Sequence, residues 1–228
     1  MKKLLTVLFL VAVALPIFAQ DDVKVETRNI GPYDKLKTSK GINVTLIEGN
    51  TEKVEIHVQN ANPEDVITSL EGKTLVVKMK TLFRKGVAVQ VYVTYKTMVE
   101  IQAGSGSSVD NEGTLTATKL TLGAAVDAAV ELDVDVKTLV GSASAGRLEI
   151  SGEATNIEVT TNTGGKFYGA ALQTNEAFVK SSTGGQVTVR VSNRLSANVS
   201  SGGKVYYYGT PKIEKTESMG GKVEPAAE

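Results

Sequence analysis

The last third of the chain repeats itself. TNTGGKFYG (161–169), SSTGGQVTVR (181–190), SSGGKVYYYG (200–209) and SMGGKVEP (218–225) each place a pair of small residues before an alternating segment. Anchored on the second small residue, the series reads Gly106, Ala125, Gly146, Gly165, Gly185, Gly203 and Gly221, at spacings of 19, 21, 19, 20, 18 and 18 residues. A unit that short cannot bury an apolar face alone, so a near-constant period of about 20 residues means that each unit stacks on its neighbours.

The columns of this alignment have consistent chemistry. Two residues after the anchor stand Leu148, Phe167, Val187, Val205 and Val223, an apolar column expected to face inward. One residue after it stand Arg147, Lys166, Gln186, Lys204 and Lys222; three after it stand Glu149, Tyr168, Thr188, Tyr206 and Glu224, both outward by alternation. A second strand recurs as KLTLG (119–123), TLVGS (138–142), NIEVT (156–160), AFVKS (177–181), RLSAN (194–198) and KIEKT (212–216). Earlier, GINVTLIEG (41–49), KVEIHVQ (53–59) and VAVQVYVTY (87–95) alternate with period two. The one helical signal, NPEDVIT (62–68), has an Asn N-cap, Pro at the first position and acidic residues after it, and room for one turn.

The expected fold is all-β, a right-handed parallel β-helix with about 20 residues per coil. A β-sandwich of hairpins is the alternative. Residues 23–100 are expected to form opening strands that cap one end, and residues 101–223 the repeating coils.

MKKLLTVLFLVAVALPIFAQ reads as a secretory signal over residues 1–19: Lys2 and Lys3, an apolar run from Leu4 to Leu15, then Ala19. Residues 20–228 then form one exported domain, in the periplasm or at the cell surface. Without Lys2 and Lys3 the whole-chain balance of 25 basic and 25 acidic residues becomes slightly acidic. That excludes a strongly basic nucleic-acid or membrane-surface binder. No later run reaches membrane-spanning length, so no transmembrane anchor is expected. The chain has no cysteine, and packing and backbone pairing must stabilise it.

Gly41-Ile42-Asn43 in KTSKGINVTLIEG, LEGKTLVVKMK (70–80) and VAVQVYVTYKTMVEIQAGSGSSV (87–109), followed by the Gly- and Ser-rich repeats, resemble the head GIN domain family, described as auto-transporter adhesins. The resemblance covers nearly all of residues 20–228. It implies a secreted, β-helical protein of Bacteroidetes-type bacteria and supplies no catalytic residues.

A phosphate-binding loop requires G-x-x-x-x-G-K-[ST] between a strand and a helix. Here Lys166, Lys204 and Lys222 lead into Phe167, Val205 and Val223, and the motif recurs at coil spacing, so it reads as a turn. Glycine there permits positive φ and leaves room for the neighbouring coil. His57 is the only histidine and falls on the polar face of a strand; with no cysteine, histidine triads and Cys/His zinc sites are excluded. Glu131, Asp133 and Asp135 share one strand face, but residues two apart lie about 7 Å apart. One ion would need a neighbouring coil, so a solvated face, paired with Arg147, is expected ahead of a calcium-assisted lyase. No catalytic, cofactor or metal residues are assigned, and no enzymatic activity is expected. The remaining candidate is an outward surface of Lys166, Tyr168, Lys204, Tyr206 and Tyr208. It suits a polysaccharide, or an envelope or host surface protein, and the same side chains would otherwise simply cover the sheet.

Overall fold

The structure is a computed structural model and describes residues 23–81 and 86–227; the expected signal segment lies outside them. The chain is a parallel β-solenoid of about seven turns. The only helical piece among the described residues is the single 3-10 turn Pro63–Asp65.

Each full coil has three walls, and the alternation of buried residues shows where it bends. In the coil that starts at Lys166, Phe167 and Gly169 point inward on the first wall. Leu172 and Thr174 do so on the second, and Ala177, Val179 and Ser181 on the third. Period two breaks only at the corners. The parallel ladder aligns Asn43, Ser108, Ala129, Arg147, Lys166, Gln186, Lys204 and Lys222 at the start of the first wall. The expected inward column is therefore longer than the sequence suggested. Val44, Val109 and Val130 stand in it with Leu148, Phe167, Val187, Val205 and Val223, all buried.

Two of the expected anchors shift. Ser107 and Ala128, not Gly106 and Ala125, stand in the column of Gly146, Gly165, Gly185, Gly203 and Gly221. The backbone shows it: Ala129 N donates to Ser107 O, Arg147 N to Ala128 O and Lys166 N to Gly146 O. The cause lies in the turns, where two consecutive left-handed residues precede the anchor in Ser105-Gly106, Val126-Asp127, Thr163-Gly164, Thr183-Gly184, Ser201-Gly202 and Met219-Gly220, whereas the shorter turn before Gly146 has one, Ala145. Lys40-Gly41 has the same geometry, so Gly-Ile-Asn at 41–43 is this same turn, with Ile42 buried at the anchor position. In the recurring third-wall strand, AFVKS is displaced by one residue: Glu176, not Ala177, pairs with Asn156 and Arg194.

The two glycines of each pair meet different demands. The first adopts positive φ, 72° at Gly164 and 73° at Gly202, with open space around a would-be Cβ. The second has ordinary φ but lies under the preceding coil: a Cβ at Gly203 would stand 2.5 Å from the Ser181 carbonyl oxygen. Phe167, the largest fully buried side chain, also depends on glycine. Its ring occupies space left by Gly141, two coils below, and by Gly169 of its own strand.

The first three courses do not stack in chain order. Lys35–Ser39 pairs with both Thr74–Met79 and Glu100–Gly104, and Asn43–Glu48 with both Ala88–Tyr95 and Ser108–Glu112. The course built from residues 35–48 is thus sandwiched between those of residues 74–95 and 100–112. Antiparallel strands close this end. Lys53–Gln59 lies on Ala88–Tyr95, Val23–Arg28 on Lys53–Gln59, and Val66–Glu71 on Thr74–Met79. Arg28 ties two of these pieces together, donating from Nη1 to Val66 O (2.7 Å) and Thr68 Oγ1 (2.9 Å) and from Nη2 to Pro63 O (3.0 Å). Arg28→Ala is expected to lower stability by about 2 kcal/mol, because charge-assisted bonds to part-buried acceptors are lost together. Denaturant unfolding measures the loss, and hydrogen exchange should show it concentrated in residues 23–28 and 63–71.

Candidate functional site

The turn that resembles a phosphate loop has already committed the amides of Gly164, Gly165 and Lys166. Gly164 N donates to Thr183 O (3.0 Å), Gly165 N to Asn162 O (2.7 Å) and Lys166 N to Gly146 O (2.9 Å). The turns at 184–186 and 202–204 repeat this pattern. A strand, not a helix, follows each. Backbone donors that would cradle phosphate instead close the turn (Gly165) or hold one coil to the next (Gly164 and Lys166).

The first wall presents its outward residues as two columns, one of Arg147, Lys166, Gln186, Lys204 and Lys222, the other of Glu149, Tyr168, Thr188, Tyr206 and Glu224. Lys166 and Tyr168 therefore share one face with Lys204 and Tyr206, but not in direct contact. Gln186 and Thr188 lie between them, so the two tyrosines stand two courses apart, roughly 10 Å. Tyr208 lies two residues further along the wall, opposite Arg190. The Arg190 guanidinium sits over its ring, 4.8 Å from the centroid, while Nε donates to Ala170 O at 2.8 Å. Arg190 was not among the expected site residues. Its signal lies in the alternation, since Arg190 follows Thr188 by two and so stands on the same outward face, one step beyond the two columns that the repeat defines. At the end of the face Lys222 pairs with Glu224 at 3.7 Å, whereas Lys166 and Lys204 have no ion pair among the described residues.

The acidic strand takes a structural role at its centre. Asp133 Oδ1 accepts from Thr114 Oγ1 (2.6 Å) and Oδ2 from Ser151 Oγ (3.0 Å), binding three courses together. Arg147 pairs with Glu149 on its own strand at 3.3 Å rather than with the acidic strand. Among the described residues no three His, Cys, Asp or Glu side chains are grouped to hold a metal ion. Asp135 does stack on Glu153 and Gln173 along the second wall, beside a cavity of about 280 Å³ that Asn175 and Ser192 also line. His57 packs edge-on against Tyr92, with ring centroids 5.1 Å apart, and its Nε2 lies 2.8 Å from Glu55 Oε1. That contact holds the Glu55 carboxyl below its usual range.

A β-solenoid with consumed turn amides and one long aromatic and basic face defines a scaffold class. Residues 32–211 match the family described as "putative auto-transporter adhesin, head GIN domain", and the chain belongs to that family. Solved structures share the fold. A "putative adhesin" from Bacteroides fragilis is 17% identical, with a TM-score of 0.75 over 89% of this chain and 95% of that one. A "putative adhesin" from Parabacteroides merdae is 18% identical, with a TM-score of 0.71 over 91% and 98%. A "putative lipid binding protein" from Parabacteroides distasonis is 17% identical, with a TM-score of 0.67 over 91% and 98%. At these identities the likeness is one of fold. No curated protein matches the chain, and no helix among the described residues is long and apolar enough to cross a membrane.

Proposed function

We propose that the protein is an exported, non-enzymatic interaction module of the bacterial envelope, adhesin-like in character, which engages its partner through the outward first wall. The observation that carries this reading is the shared face of Lys166, Tyr168, Lys204, Tyr206 and Tyr208. Amphipathic rings and unpaired ammonium groups stand there on a backbone laddered to the neighbouring coils. Family membership supports the adhesin-like character. The same face favours an acidic polysaccharide as the finer reading, because tyrosine rings stack on sugar rings and lysines meet carboxylate or sulfate groups. An envelope or host surface protein is the other partner class.

A glycan array with the exported domain tests the finer reading. Tyr168→Ala/Tyr206→Ala is expected to weaken binding to acidic glycans on the order of 10–30-fold, at about 1 kcal/mol per ring. Its melting temperature should stay close to the parent's, since both rings are only partly buried. No binding to any glycan, or binding unchanged in the variant, would rule out the polysaccharide. Surface proteolysis of intact cells tests the location independently.

A further inference from the structure

The second wall is incomplete, and its first course ends in a free strand edge. That course is Leu115–Ala117, and on one side it is laddered in parallel to Val134–Val136. On its other side no strand among the described residues is laddered to it. Leu115–Ala125 meets Glu100–Gly104 only from Thr121 onward. Where the next course would lie, the chain instead crosses as the connection 96–99, held by Val99 N to Asp34 O (2.8 Å) and Thr121 N to Val99 O (2.9 Å).

The gap is a cavity of about 490 Å³ lined by Thr97, Met98, Val99, Thr116, Ala117 and Lys119 among others. Met98 and Ala117 supply an apolar floor, and Val99 is 39% exposed at its margin. The charges at this place are unequal. Glu100 is neutralised by Lys35 at 3.1 Å, whereas Lys119 is exposed and has no ion pair among the described residues.

We propose that this edge and cavity form a docking site for an extended polypeptide strand bearing a carboxylate. The strand adds in parallel as the missing course of the second wall. Its backbone pairs with the free side of residues 115–119, one apolar side chain enters the cavity over Met98 and Ala117, and an acidic side chain meets Lys119. Strand addition of this kind draws affinity from main-chain bonds and selectivity from the pocket. The ladder on the opposite side of the same residues shows that their backbone already accepts a parallel course. That course is Val134–Val136, and its one carboxylate, Asp135, stands opposite Thr116. The site lies apart from the lysine and tyrosine face, so neither proposal depends on the other.

The test uses a blocked synthetic peptide with the sequence of residues 130–137 as probe, added to the exported domain and followed by amide NMR shifts and hydrogen exchange. Shifts confined to residues 96–100 and 115–121, with slowed exchange at Thr116–Thr118, are the expected result. A peptide with proline in place of the residue corresponding to Val134 should not bind, because it lacks a ladder donor. Lys119→Glu should weaken the parent peptide by about tenfold or more. Three results would each overturn the proposal: no shifts at millimolar peptide, shifts centred on the exposed end strand Lys212–Glu217, or equal binding of the proline peptide. The last would mean that the cavity takes a side chain or small amphiphile without strand addition.

Discussion

Gly203→Ala is expected to cost about 3 kcal/mol or more, while Gly202→Ala, one residue earlier in the same turn, costs about 1 kcal/mol. The two substitutions add the same methyl group. At Gly202 the backbone is left-handed, with φ of 73°, and the added Cβ meets nothing within 4 Å, so only backbone strain is felt. At Gly203 the φ is ordinary, but Cβ would lie 2.5 Å from Ser181 O and 2.7 Å from Ser181 C. Those atoms belong to the backbone of the preceding coil. The clash is relieved only by prising the coils apart, which strains the bond from Lys204 N to Gly185 O. Chemical unfolding of the two variants measures the difference. Equal costs, or a larger cost at Gly202, would mean that the turn is limited by conformation rather than by coil spacing.

Lys215→Leu/Glu217→Leu is expected to turn the last coil into a self-associating surface. Lys212–Glu217 is laddered to the preceding coil on one side, and no strand among the described residues is laddered to the other. On charge alone its lysines and glutamates read as outward residues. The register instead puts Ile213, Lys215 and Glu217 beneath Leu195, Ala197 and Val199, in the inward columns. Lys215 and Glu217 therefore lie across the open end of the core. Their side chains pair at 3.1 Å, and Glu217 Oε1 accepts from Val223 N at 2.6 Å. Pro225 on the final strand removes one more backbone donor. Inward charges and proline on an edge are devices that block strand-to-strand growth. With leucines in their place, the exposed end becomes apolar and can accept a second copy. Sedimentation at matched concentration should show the variant shifted to larger species than the parent; an unchanged distribution would remove this role from the pair.

Acid is expected to loosen the same end of the solenoid. The backbone bond from Val223, then the side-chain bond from Lys215, hold the Glu217 carboxyl below its ordinary value of 4.5. A depressed carboxyl contributes stability above pH 4.5 that is lost as pH falls through the lowered value. Fraying of residues 212–225 is therefore expected only in that acid window, read by hydrogen exchange, and Glu217→Gln should reduce its pH dependence to the part carried by Glu214, which the Arg194 side-chain bond also holds low. Fraying that persists unchanged in Glu217→Gln would assign it to another group.

The repeat, the inward column from Leu148 to Val223 and the outward placement of Lys166, Tyr168, Lys204 and Tyr206 were all legible from alternation. That signal is local: in a strand, side-chain direction depends only on parity. Parity breaks at corners. That is why Gly106, expected to match Gly165, is the equivalent of Gly164, and why the third-wall strand around Ala177 is displaced by one from its expected register. Two successive left-handed residues, several of them non-glycine such as Thr163, Val126 and Met219, leave no compositional mark strong enough to count through.

Amino-acid order by itself determined that this chain stacks short coils, and that small residues at the turns let it do so. Tertiary structure decided which course lies on which. Residues 35–48 sit between residues 74–95 and 100–112, Arg28 reaches across to Val66, and Lys215 and Glu217 turn inward. The physical reason is that ladder partners there are separated by tens of residues. Their pairing is set by which edges remain free once all the strands have met, a condition that no single segment carries.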